Sequence, residues 1–204
     1  MSTATAEMKT QAQPANTYKP KGMLIGGKWV ESASGARITI ENPGKRTAVA
    51  EVPRAAEADV NAAVEAAEKA FPAWKNVVPR ERGKILLKIA EVLEARSEEM
   101  ARTIALETGN ALRTQARGEA KLAADIFRYF GGLASELKGE TVPLGESVLS
   151  YTRREPLGIV GAIIPWNAPL NSSIWKIGPV LATGCTMVLK PSEKAPLTPL
   201  RLGE

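Results

Sequence analysis

The chain has 204 residues, 44% of them hydrophobic, a net charge of +5, one cysteine and no histidine. A single cysteine excludes an internal disulfide and fits a reducing compartment, so cytoplasm is the expected location. Without histidine there is neither an imidazole base nor a cysteine–histidine zinc site, and no metal is expected. The basic residues alternate with acids, as in Pro79-Arg80-Glu81-Arg82 and Arg153-Arg154-Glu155. That pattern describes a mixed solvated surface and argues against a nucleic-acid partner. No apolar stretch approaches the roughly 18 residues of a membrane span.

Residues 1–18 lack periodicity and apolar mass and are expected to form a disordered tail, with neither the charged start nor the apolar block of a signal peptide. Leu24 to Val30 reads as two short strands around the Gly26-Gly27 turn, followed by a strand near Arg37 to Ile40 and a turn at Asn42-Pro43-Gly44. From Glu57 the period becomes helical, with Val60, Val64, Ala67, Phe71 and Trp74 on one face and Pro72 expected to end or kink the helix. Pro79 suits a first helical position, and Ile85, Leu86, Ile89 and Leu93 form the next stripe. Ser97-Glu98-Glu99 opens a further helix that Gly109 stops. A longer helix is expected from about Ala116 to Leu137, with Ile126, Tyr129, Phe130, Leu133 and Leu137 as its packing side. Residues 140–154 read as a hairpin. Pro143 makes its first strand an edge, and Leu149 and Tyr151 require either a cover or a pairing chain.

The last fifty residues carry the chemistry. Ile159 to Ile164 suits a strand buried on both faces, Leu170 to Ala182 a helix, and Thr186 to Lys190 a second buried strand. Such a strand–helix–strand unit crosses over right-handed and makes its strands parallel, with ligands outside their carboxyl ends. Two motifs fall there: Pro165-Trp166-Asn167-Ala168-Pro169 and Lys190-Pro191-Ser192-Glu193. Asn167 offers uncharged donors that could hold an oxyanion, or could serve its own turn. Lys190 and Glu193 could grip a ribose, or form only a strand-end ion pair. The G-x-G-x-x-G fingerprint is absent, so pattern alone stops at an α/β nucleotide-binding candidate.

The residues say more than their spacing. Glu155-Pro156-Leu157-Gly158-Ile159-Val160-Gly161, Ile164-Pro165-Trp166-Asn167, Trp175-Lys176-Ile177-Gly178-Pro179 and Val188-Leu189-Lys190-Pro191-Ser192-Glu193, in that order, closely resemble the aldehyde dehydrogenase superfamily. Upstream, Leu106-Glu107-Thr108-Gly109 and Gly26-Gly27-Lys28-Trp29 extend the resemblance over nearly everything after the tail. It implies an α/β fold: a Rossmann-like parallel sheet with flanking helices, plus amino-terminal helices and a protruding β-hairpin. The implied parts are a tail (1–18), amino-terminal strands and helices of the cofactor-binding domain (19–138), an oligomerisation hairpin (139–157) and the first strand–helix–strand of the dinucleotide-binding sheet (158–204). The chain matches the amino-terminal part of a member, without the catalytic domain.

The resemblance also implies chemistry. A cysteine thiolate adds to an aldehyde, the oxyanion is held by the asparagine of the Pro-Trp-Asn motif and a backbone N–H, hydride leaves for nicotinamide, and water hydrolyses the thioester. Asn167 matches that asparagine. Ile164, Pro165, Trp166, Lys190, Ser192 and Glu193 match the cofactor cleft, and a glutamate at the ribose favours NAD while leaving NADP open. The implied partners are a small-molecule aldehyde and, through the hairpin, further subunits of a homodimer or homotetramer. Cys185, entering a buried strand, is not expected to be the nucleophile, so this chain alone is expected to be inactive. Two other readings stay open: a non-catalytic nucleotide-binding or oligomerisation module, and an acyl-phosphate or acyl-thioester reductase of the same superfamily.

Overall fold

The computed structural model describes residues 18–204. Strands β1 (Met23–Ile25) and β2 (Lys28–Val30) form an antiparallel hairpin. Its turn needs positive φ at both central residues, which Gly26 (58°) and Gly27 (76°) supply. Strand β3 (Arg37–Asn42) pairs antiparallel with β4 (Thr47–Pro53). The Asn42 carboxamide oxygen accepts the N–H groups of Gly44 (2.9 Å) and Lys45 (3.0 Å), which closes the turn between them. Strand β4 is not expected from the sequence pattern, because its Ala48-Val49-Ala50 stretch gives only a weak alternation.

Three helices follow: α1 (Glu57–Lys75), α2 (Pro79–Ala95) and α3 (Ser97–Thr108). Pro72 does not end α1, which runs on to Lys75. Gly109 stops α3 in the left-handed region (φ 76°), where a Cβ would also meet Pro43 Cγ at 2.9 Å. A π-helical turn, Leu112–Ala116, leads into α4 (Arg117–Leu133). The main core lies where α2, α3, α4 and the later helix α5 (Pro169–Ala182) meet, around Leu86, Ala90, Met100, Ile104, Phe127, Leu170 and Ile174. Helices α2 and α4 approach so closely that a Cβ on Gly83 would stand 2.6 Å from the Gly131 carbonyl oxygen.

That close approach also decides which face of α4 is buried. The large stripe expected to pack α4 is largely outside, with Tyr129 58% exposed and Leu133 and Leu137 also exposed. The buried face is instead Ala120, Ala123, Ala124, Phe127 and Gly131, together with Ile126. Small residues let two backbones meet, and the core forms there. In α1, similarly, Val60 and Val64 are exposed and Ala67 is buried.

The hairpin is present as β5 (Thr141–Pro143) and β6 (Leu149–Tyr151), antiparallel, with Leu144, Val148 and Tyr151 exposed and Leu149 81% exposed. Beyond it, β7 (Ile159–Ile163) and β8 (Thr186–Lys190) pair in parallel, from Ile159 opposite Thr186 to Ile163 opposite Lys190, with α5 as the crossover. This is the expected α/β unit. Strand β7 is not buried on both faces, however. Exposure alternates along it and Ile163 is 79% exposed, so one face is covered and the other open. Arg82, buried on α2, donates from Nε to the Ala182 carbonyl (3.0 Å) at the end of α5. A short final helix, α6 (Leu197–Leu202), closes a smaller core of Tyr18, Ile40, Val52 and Leu197. Tyr18, the last residue of the expected tail, is therefore packed, with Arg201 over its ring; residues 1–17 of that tail lie outside the described residues.

Candidate functional site

The two sequence motifs leave the carboxyl ends of the paired strands β7 and β8. They are joined where they begin, because the Ile164 N–H donates to the Lys190 carbonyl at 3.2 Å. Ile164 is buried beneath the first loop, whereas Pro165, Trp166 and Asn167 stand exposed along it. The turn does not depend on the Asn167 side chain. The Asn167 carbonyl accepts from Asn110 Nδ2 (3.2 Å), and the helix start behind it is held by Glu119. The amide side chain is thus presented at the surface instead of being consumed in its own turn.

Glu119, on α4, was not singled out from the sequence. It is 9% exposed, and its Oε1 accepts the N–H groups of Leu170 (2.9 Å) and Asn171 (3.1 Å). A helix begins with N–H groups that have no intrahelical partner. In α5 all are accounted for: Pro169 has none, Leu170 and Asn171 go to Glu119, and Ser172 bonds the Ala168 carbonyl. Glu107, on α3, does the same for α6 with both oxygens, taking the N–H of Leu197 (2.6 Å) and of Thr198 (2.8 Å). Burial pushes both carboxyls up, Glu107 to about 7, against the opposing pull of the N–H groups they accept; Thr198 beside Glu107 acts the same way.

On the second loop, Lys190 Nζ lies 3.5 Å from Glu193 Oε2, both groups more than half exposed. An exposed pair of that kind contributes about 0–1 kcal/mol to stability, so its place at the strand end is weakly explained as a structural staple. The Glu193 carboxyl is held low by its own backbone N–H and then by Lys190, so it presents a carboxylate. Ser192 is buried, and its hydroxyl accepts the Lys194 N–H at 3.2 Å, which shapes the loop. The donor set suits the two hydroxyls of a ribose beside Lys190 and Glu193. The start of α5 does not suit a pyrophosphate, because Glu119 already occupies its free N–H groups. Cys185 is buried at the entry to β8, its backbone N–H bonded to the Val180 carbonyl. Among the described residues there is no cluster that could hold a metal ion and no helix long and apolar enough to cross a membrane.

Fold and loops together define an α/β chain with a parallel strand–helix–strand crossover and a polar loop at each strand's carboxyl end. The model of the "Aldehyde dehydrogenase family" matches residues 29–204, and the chain belongs to that family. It is 44% identical over 193 residues to the phenylacetaldehyde dehydrogenase of Pseudomonas fluorescens, covering 91% of this chain and 38% of that one. With an aldehyde dehydrogenase of Aspergillus niger it shares 42% over 183 residues, 89% of this chain and 37% of the other. Among solved structures, the NAD-dependent aldehyde dehydrogenase of Sinorhizobium meliloti superposes with a TM-score of 0.89 at 39% identity, over 94% of this chain and 39% of that chain. PnpE in complex with nicotinamide adenine dinucleotide gives 0.87 at 41%, over 90% and 38%. The chain thus spans 37–38% of the length of the curated relatives it matches.

Proposed function

We propose that this chain supplies the oxyanion asparagine and the adenosine-side cofactor loop of an NAD(P)-dependent aldehyde dehydrogenase that oxidises an aldehyde to a carboxylic acid. The observation that carries the reading is the Asn167 side chain, exposed at a strand's carboxyl end in a turn whose backbone is fixed by Asn110 and Glu119. A donor held in place before charge develops stabilises that charge without reorganising, which is the physical content of an oxyanion hole. In this role Asn167 Nδ2 donates to the carbonyl oxygen of the aldehyde as a thiolate adds to its carbon. A nicotinamide cofactor bound in this cleft would supply the hydride acceptor. Lys190 and Glu193 orient the cofactor through its ribose, and Ile164, Pro165 and Trp166 wall the same cleft. The Glu193 carboxylate repels a 2′-phosphate, which supports NAD over NADP, although a structural relative at 32% identity is an NADP-dependent enzyme.

In this reading the thiolate does not come from this chain, whose one cysteine is buried at the entry to β8, so the 204 residues alone are inactive. The exposed apolar hairpin supports assembly into a homodimer or homotetramer, and the lack of disulfide capacity supports a cytoplasmic setting. The deciding experiment is Asn167→Ala in the enzyme that carries this chain. Removing one oxyanion donor lowers kcat by about 10²–10³ with KM changed little. An unchanged kcat would remove Asn167 from the chemistry.

A further inference from the structure

The ordinary way to start a helix is a Ser, Thr, Asp or Asn at the residue before it, which accepts one of the free N–H groups locally. Helix α5 has Ala168 there and makes no such bond. The acceptor comes instead from Glu119, 51 and 52 residues away, on α4. A carboxylate taken from water into a protein interior is unfavourable unless its bonds repay the loss. A local serine would satisfy one of those donors without that burial. What the distant glutamate adds is a fixed relation between the start of α5 and the α4 layer. Asn167 lies three residues before Leu170 and is itself tied by its carbonyl to Asn110, in the segment just ahead of α4.

We infer that Glu119 is the positioning residue of the oxyanion turn, setting where Asn167 stands by clamping the start of α5 to α4. This rests on the role given to Asn167 above. The geometry makes an uncommon demand on its test. Both N–H groups converge on a single oxygen, Oε1 of Glu119, so a carboxamide can replace the carboxylate and still accept both. Glu107 divides its two N–H groups between two oxygens, so glutamine there would turn an NH2 against one donor. Glu107 is therefore an internal control: a second buried cap, at the start of α6, with the opposite response to the same substitution.

The experiment is amide exchange by NMR on the 204-residue chain. In wild type, the Leu170 and Asn171 amides are expected to exchange as slowly as those in the middle of α5. Glu119→Met is expected to speed them about 10–100-fold, the size of a lost buried hydrogen bond, and to shift the Asn167 side-chain amide resonances. Glu119→Gln restores both, while Glu107→Gln leaves the Asn167 resonances in place. Wild-type amides of Leu170 and Asn171 that exchange like free helix ends overturn the clamp even if Glu119→Met does not fold. In the enzyme that carries this chain, Glu119→Met lowers kcat and adds nothing on top of Asn167→Ala, because both losses act through one donor. Additive losses would overturn positioning, whereas an Asn167→Ala enzyme of full activity sinks the oxyanion reading and leaves the exchange result to decide the clamp.

Discussion

Stability should fall as pH rises from about 5 to about 8, and Glu107 is the main reason. Its carboxyl is 3% exposed, and burial lifts it from 4.5 to about 7. A raised value means that the folded chain holds a proton the unfolded chain has released between those two points. The associated stabilisation is complete below about 4.5, declines as pH passes through about 7, and is absent above. At about 1.36 kcal/mol per pKa unit, the difference between the two values sets a ceiling of about 3 kcal/mol. Glu119, also raised by burial, adds in the same direction. The chain has no histidine, so no other side chain type ordinarily titrates in this interval. Below it, Glu98 and Glu99 act the other way: arginine partners hold both at about 2, so their contribution is lost as pH falls from about 4.5 towards that value. Urea unfolding at several pH values, read by the fluorescence of the four tryptophans, measures the slope. A stability that is flat or rising between about pH 5 and about pH 8 would refute the reasoning. So would an undiminished slope in Glu107→Gln.

Two further outcomes follow from packing and exposure. Gly178→Ala places a Cβ 2.5 Å from Phe130 Cδ2 at the α4–α5 contact and is expected to destabilise by about 1–3 kcal/mol, seen as a lower Tm. Leu149→Lys together with Tyr151→Lys, on the exposed hairpin, is expected to lower the mass measured by light scattering while leaving the monomer's stability within about 0.5 kcal/mol. An unchanged mass would remove the hairpin from assembly.

The strand–helix–strand unit was legible because its punctuation is strong. Pro165, Gly184 and Pro191 bound short apolar runs rich in β-branched residues, and the structure places β7, α5 and β8 between them. Pro79 and Gly109 marked helix ends for equally local reasons. Faces were harder to read than boundaries. A stripe is judged by its large residues, yet α4 buries alanines and a glycine against α2, because close backbone approach rewards having no side chain. The carboxylate clamps were missed because they join residues 51 to 91 positions apart, which no local pattern encodes. There was a signal in the residues before the two helices. Ala168 and Pro196 cannot accept a hydrogen bond through their side chains, so each implies an acceptor elsewhere.

Helix α5 is bracketed by opposite buried charges. Glu119 sits at its amino end and Arg82 at its carboxyl end, each matched to the sign of the helix dipole there. The two anchors differ in kind, because a guanidinium keeps its charge throughout the range in which proteins fold, whereas a buried carboxyl does not. Acidification therefore discharges one end only. The end it reaches is the one that carries Asn167, and the end joined to α2 stays moored, so proton concentration acts on this helix as a one-sided tension on its loop.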